Sequence, residues 1–242
     1  MPKKTVLITG ASRGIGRSAA LAFGAGNWNV AVHYCHEREL ARQTAEQIES
    51  SMTVKADLHS DAEVAAMVDA VKERFGAIDV LVNNAGAARQ QLLIDMSEAE
   101  WTDLFDVNVH GAFRCIRRIL PEMLSRRSGK IINVSSIWGA VGASCEVCYS
   151  ATKAALIGMT KALAKEVGMC GVQVNCVAPG VIRTDMLAGF NEKELDALAE
   201  ETALSRLGRP EDVAAALLFL AEESGDFITG QVIHVDGGFC IH

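Results

Sequence analysis

A short apolar, β-branched run, Thr5-Val6-Leu7-Ile8, passes directly into Thr9-Gly10-Ala11-Ser12-Arg13-Gly14-Ile15-Gly16, and apolar residues recur at helical spacing from Arg17 to Gly24. Strand, glycine turn and helix in immediate succession leave few folds open. A helix that starts where a strand ends must lie back across the sheet, which is the opening of a right-handed parallel crossover. The same order is the context in which a dinucleotide-binding turn works. Glycines there permit a tight turn and close backbone approach to a pyrophosphate, while the helix offers free N–H groups and its positive end. The spacing is Gly-x-x-x-Gly-x-Gly rather than the commoner Gly-x-Gly-x-x-Gly, and a glycine cluster alone reads equally as an ordinary left-handed turn.

The alternation continues along the chain. Strands are predicted at Asn29–Tyr34, Met52–Lys55, Asp79–Val82, Ile131–Val134, Val172–Val177 and Gln231–Val235. Helices are predicted at Arg38–Glu49, Asp61–Phe75 with Asp61 as N-cap, and Ser97–Leu124 opening on a Ser97/Glu100 capping box. Further helices are predicted at Glu146–Gly168, Glu192–Glu200 and Pro210–Glu222. Alternation at this period implies an α/β fold: a Rossmann-like, doubly wound parallel sheet of about seven strands with helices on both faces. No linker, repeat or low-complexity stretch interrupts it, so residues 1–242 are read as one domain. Residues 187–208 are poorer in strand signals and are read as a mobile lid over a substrate site.

At 242 residues and 50% hydrophobic the chain can bury one substantial core. A net charge of −7 without a basic stripe argues against nucleic acid as a main partner. Met1-Pro2-Lys3-Lys4 leads into a strand with no apolar signal region, and no stretch has membrane-spanning length, so a cytoplasmic protein with no membrane partner is expected. Seven scattered cysteines lack disulfide-framework spacing. Cys145 and Cys148 form a C-x-x-C, but no second ligand pair stands near, so ordinary thiols and no metal are expected.

Tyr149 and Lys153 stand four residues apart and share one face of a helix, while Ser136 follows the predicted strand Ile131–Val134 at the edge where a crevice opens. A cation beside a phenol favours its anion, and lowering the pKa from ~10 by about three units takes roughly 4 kcal/mol. With a serine hydroxyl to hold a carbonyl oxygen, the trio suggests protonation of that oxygen. A half-buried Tyr and a solvated Lys on a plain helix is the competing reading of the pair.

These motifs, in this order, resemble the single-domain short-chain dehydrogenases/reductases along essentially the whole chain. The resemblance makes Ser136, Tyr149, Lys153 and Asn108 catalytic. Asn108 would hold a water that relays protons to Lys153, and Lys153 would also bind the nicotinamide ribose. It implies cofactor contacts from Gly10, Ser12, Arg13, Gly14, Ile15 and Gly16 in the turn, and from Asp57 and Leu58 on the adenine side. Asn84, Ala85 and Gly86 close the fourth strand, and Pro179, Gly180, Ile182 and Thr184 lie against the nicotinamide. It further implies a homotetramer built on the helices 97–124 and 146–168.

An acid about twenty residues past the turn selects NAD. Tyr34 occupies that place, among Arg13, His33, His36 and Arg38, so NADP(H) is expected over NAD(H), with Tyr34 and Arg38 near the phosphate; Glu37 argues mildly the other way. Two groups of reductases are resembled. The overall pattern is similar to the 3-oxoacyl-[acyl-carrier-protein] reductases. Ser135–Gly139, Gly142–Val147 and Gly237–Cys240 are more similar to the reductases of 5-aminopentanone on elongation factor P. Glu146, as a substrate contact, suits an amine; Cys170 replaces a basic residue usual in the carrier-protein enzymes, although Arg126 and Arg127 could still meet an acidic partner. The elongation-factor reading is therefore preferred here, with the carrier-protein reading close behind and a non-catalytic NADP-binding regulator remote.

Overall fold

The computed structural model describes residues 3–241; Met1 and Pro2, on which part of the N-terminal reading rests, and His242 lie outside the described residues. Seven strands form one parallel sheet in the order β3-β2-β1-β4-β5-β6-β7. They are β1 (Thr5–Ile8), β2 (Asn29–Tyr34), β3 (Ser51–Lys55), β4 (Val80–Asn83), β5 (Gly129–Val134), β6 (Val172–Pro179) and β7 (Val232–Val235). The helices are α1 (Gly14–Ala25), α2 (Arg38–Ala45), α3 (Asp61–Phe75), α4 (Glu98–Phe105), α5 (Gly111–Arg126), α6 (Trp138–Val141), α7 (Val147–Val167), α8 (Glu192–Glu200) and α9 (Pro210–Ala221).

The period-2 alternation of each strand divides its side chains between two cores. Val6, Ile8, Val30, Val32, Ile132 and Val134 pack on one face with Phe23, Leu217 and Leu220. Leu7, Ala31, Leu81 and Ile131 face the opposite way, into Val64, Met67, Val71, Ile116 and Ile119. Both faces are covered, which is why the strands read as continuous apolar runs. The strand order reverses between β1 and β4, whose register pairs Ile8 with Val82. At that reversal the connections leave to opposite sides and a crevice opens past the strand ends.

Three differences from expectation have identifiable physical causes. Helix α2 stops at Ala45, because the Ser51 hydroxyl takes the Ala45 carbonyl (2.7 Å) and the chain turns to bury Ile48. Ser60 rather than Asp61 caps α3, accepting from the Glu63 N–H (3.2 Å), which leaves Asp61 free to pair with Arg117 and Arg118. The predicted helix 97–124 begins on the expected capping box but contains a π-helical turn, Asp106–His110, between α4 and α5.

Among the described residues no helix is long and apolar enough to cross a membrane, and no group of His, Cys, Asp and Glu is placed to hold a metal. All seven cysteines are free.

Candidate active site

The glycine turn lies at the β1/β4 reversal. Gly10 and Gly14 have φ of +64° and +54°, where a side chain is strained. A Cβ on Gly16 would lie 2.3 Å from the Gly10 carbonyl oxygen, and one on Gly10 would lie 2.9 Å from Ala85 Cα. Thr9 and Asn84 knit this turn to the end of β4: Asn84 and Ala85 N–H groups each donate to Thr9 Oγ1 at 3.0 Å, and Asn84 Nδ2 donates to the Thr9 and Gly10 carbonyls. Ser12 is buried, Arg13 is exposed, and Ile15 packs against the core. Helix α1 opens here with no side-chain cap and no acid in its first turn, so its N–H groups and dipole face the crevice uncompensated. A backbone this close and this positive fits a dinucleotide phosphate.

His33, counted in the sequence among the protonatable groups that favour NADP(H), is instead a buried neutral brace of this turn. It is buried at the end of β2, where Nδ1 accepts from the Gly10 N–H and Nε2 donates to the Ala56 carbonyl, both at 3.0 Å. Both bonds need the neutral ring, and burial pushes its pKa down to about 4. An unfolded chain binds the proton first as pH falls. The stability is therefore complete above the ordinary histidine value of 6.5 and erodes as pH drops towards 4. The loss is expected to be on the order of 3 kcal/mol. Denaturant unfolding of the wild type and His33→Asn across this range tests it; equal pH slopes in the two proteins would remove His33 as the source.

Ser136, Tyr149 and Lys153 converge past the ends of β5 and β6. The Ser136 hydroxyl accepts from the Trp138 N–H (3.2 Å) and lies close enough to the Tyr149 phenol to lower its pKa. Burial outweighs that and, helped by the Glu146 charge, pushes the phenol up to about 12. The Lys153 charge does not offset this: Nζ donates to the Val134 carbonyl (2.9 Å) and lies 5.5 Å from the Tyr149 ring centroid. Burial in turn lowers Lys153 to about 8. Lys153 is itself positioned by its backbone, whose carbonyl accepts from Ser135 Oγ at 2.7 Å.

Asn108 lies in the π-helical turn, and its side chain makes three hydrogen bonds. Oδ1 accepts from the Ala87 N–H (2.8 Å), and Nδ2 donates to the Ala87 carbonyl and Thr152 Oγ1 (2.9 Å each). The side chain thus braces the chain after β4 against α7, and Oδ1 keeps a second lone pair beyond the Ala87 bond. A Cβ on Gly86 would lie 3.2 Å from Lys153 Nζ and 3.1 Å from Asn108 Oδ1, so Gly86 keeps the floor of the crevice open.

The remaining predicted residues line the rim unevenly. Pro179 ends β6 with its carbonyl accepting from the Ile137 N–H, and a Cβ on Gly180 would lie 2.7 Å from Asp236 Cα. Ile182 is buried and bridges to Gly208, and Thr184 stands 3.5 Å from where a Gly14 Cβ would be. Arg13 faces Asp185 at 3.7 Å, both exposed. The Tyr34 ring is buried in the core, whereas Arg38 is exposed at the start of α2. Asp57 is half-buried and Leu58 is buried beneath Gly111. Within 187–208, α8 carries no buried residue. Glu146 is half-buried just before α7, and burial raises its pKa; among the described residues no basic group pairs with its carboxylate. Arg126 is taken up by Asp79 (2.9 Å) and Arg127 by the Met169 carbonyl (2.7 Å), so both basic groups are engaged within the chain.

The family described as enoyl-(acyl carrier protein) reductase matches residues 10–240. The chain is 45% identical to a 3-oxoacyl-[acyl-carrier-protein] reductase FabG of Staphylococcus aureus, over 97% of each chain. It is 44% identical to that of Staphylococcus epidermidis, over 97% of this chain and 98% of the relative. It is 39% identical to that of Chlamydia muridarum, over 97% and 96%. A seven-stranded parallel sheet, a phosphate-fitting turn at its reversal point and full-length kinship agree: the chain belongs to the short-chain dehydrogenase/reductase family, nicotinamide-dependent oxidoreductases acting on an alcohol/ketone pair.

Proposed function

We propose that this protein is an NADPH-dependent reductase of a 3-oxoacyl group carried as a thioester on an acyl carrier protein. The observation that carries the reading is the meeting of the Ser136 hydroxyl and the Tyr149 phenol beside Gly86 and Lys153, together with relatives named for that reaction. The nicotinamide, when bound, supplies a hydride to the ketone carbon. Tyr149 passes its phenolic proton to the carbonyl oxygen. Burial keeps the phenol protonated at neutral pH, and the developing alkoxide is basic enough to take that proton. Ser136 accepts from Trp138 and so keeps its own O–H to donate to the same oxygen. Lys153 spends one N–H on Val134 and has two left to hold the ribose. Arg13, exposed beside the turn, supports NADP over NAD as the charge that meets a 2′-phosphate. Residues 187–208, with α8 only lightly packed, serve as the closing lid.

A second reading, reduction of an aminoketone on a protein such as elongation factor P, has one observation in its favour: the half-buried carboxylate of Glu146, with no cation beside it, next to Tyr149. The relatives' names favour the thioester. The discriminating experiment is NADPH and NADH oxidation with acetoacetyl thioester and with 5-aminopentanone-modified elongation factor P. The thioester should be reduced efficiently, NADPH should be preferred, and Glu146→Gln should leave the rate unchanged. Preference for the aminoketone, weakened by about 1–2 kcal/mol in Glu146→Gln, would overturn the first reading in favour of the second.

A further inference from the structure

His59, on the turn after β3, stands between two carboxylates. Nδ1 lies 2.7 Å from Asp57 Oδ1 and Nε2 lies 3.2 Å from Asp103 Oδ1 on α4. The His59 backbone N–H also donates to Asp57 Oδ1 at 3.0 Å. Ionised carboxylates only accept, so both ring nitrogens must carry protons for both bonds to exist. We propose that His59 is a positioning residue: its doubly hydrogen-bonded imidazolium clamps the Asp57–Leu58 turn onto α4 and thereby holds the wall that meets the adenine half of the cofactor. The inference rests on the cofactor reading above and adds to it a device outside the glycine turn.

The surroundings support it. Asp57 draws the imidazole pKa upward, with Asp103 and Asp106 adding to it, while the bonds from His59 hold Asp57 below its usual range. His36, from the turn after β2, faces Asp57, and Glu63 of α3 accepts from the Asp57 N–H. On the other side Asp106 of the π-helical turn is paired with His110 and Arg114. Arg114 also donates to the Leu58 carbonyl (2.8 Å), a second tie that keeps its charge at every working pH. The turn is thus held by one permanent tie and one titratable one. Loss of the His59 bond should loosen the adenine wall without unfolding it. Because the folded-state pKa is raised, the clamp is complete at low pH and lost as pH rises through that value.

The test is NADPH fluorescence titration from about pH 6 to about pH 8.5, the range in which histidines change charge, with wild type, Asp103→Ala and Asp103→Asn. Titration of the NADPH phosphate itself is common to all three. Wild type should weaken by about two- to fivefold more than Asp103→Ala as pH rises, the scale of an exposed charge pair. Asp103→Ala should bind weakly throughout. Asp103→Asn should bind tightly throughout, since an amide accepts from the imidazolium or donates to the neutral ring. KM for NADPH should follow these differences while kcat at saturation does not. Superimposable curves, or a change in kcat alone, overturn the clamp. Failure of the wild type to bind NADPH at any pH overturns the cofactor reading itself, and the inference with it.

Discussion

Tyr149→Phe is expected to abolish ketone reduction almost completely while NADPH still binds within a few-fold of wild type. The substitution removes one oxygen and leaves the ring that lies by Lys153. The phosphate-fitting elements, Gly10, Gly14, Gly16 and the open end of α1, lie at the β1/β4 reversal and are untouched. Loss of a general acid costs about 10²–10⁴ in rate. Ser136 cannot replace it, because a serine hydroxyl that gives up its proton leaves an anion nearly as basic as the alkoxide being formed. Steady-state rates beside fluorescence titration of NADPH measure both quantities. Retention of more than about a tenth of the activity would take the proton-donor role away from Tyr149.

Gly16→Ala should damage the opposite end of the crevice. The new methyl would stand 2.3 Å from the Gly10 carbonyl oxygen and 2.5 Å from Asn84 Nδ2, with backbone on one side and a hydrogen-bonded amide on the other. Neither can yield without breaking the bonds from Asn84 to the Thr9 and Gly10 carbonyls. Overpacking of this kind costs about 1–3 kcal/mol. In a chain of this size that is a fall in Tm of roughly 2–4 °C per kcal/mol. Displacement of the turn should weaken NADPH binding by at least about tenfold, one decade for each ~1.4 kcal/mol lost. Calorimetry and cofactor titration together check it, and unchanged affinity would mean that the turn is not where the phosphates lie.

Much of this site could be read from residue spacing. The four-residue step from Tyr149 to Lys153 fixes their shared helical face wherever the helix lies, and the turn from Gly10 to Gly16 is local in sequence as in space. The seven strands were legible for the same reason, since apolar runs bounded by turn residues are local signals. What escaped depends on distant partners. His33 reads as one of the protonatable groups around the expected phosphate until Gly10 and Ala56 are brought to its two nitrogens. The π-helical turn at Asn108 arises where the helix accommodates Ala87 and Thr152, and no periodicity announces it. Ser60 outcompeted Asp61 as a cap because Arg117 and Arg118, more than fifty residues on, claim the aspartate. The surroundings of Glu146 were equally hidden: its distance from any cation is a property of the folded mouth, not of the helix that follows it. The preference for the elongation-factor substrate, built on short matches around that residue, gave way to full-length kinship with the carrier-protein enzymes.

The all-parallel sheet also governs how the chain reaches this state. No strand can find its neighbour through a hairpin: Thr5 must wait for Asn29, Val6 also for Val80, and Asn83 for Asn133. Each pairing closes a loop containing a whole helix before it gains any stabilisation, so the entropic cost precedes the reward at every step. Strand β1 is the extreme case, because it is made before the other six strands yet is flanked on one side by a strand some seventy-five residues later. Until β4 is synthesised, the apolar edge of β1 stays open to other chains, and newly made or refolding protein is most exposed to aggregation in that interval.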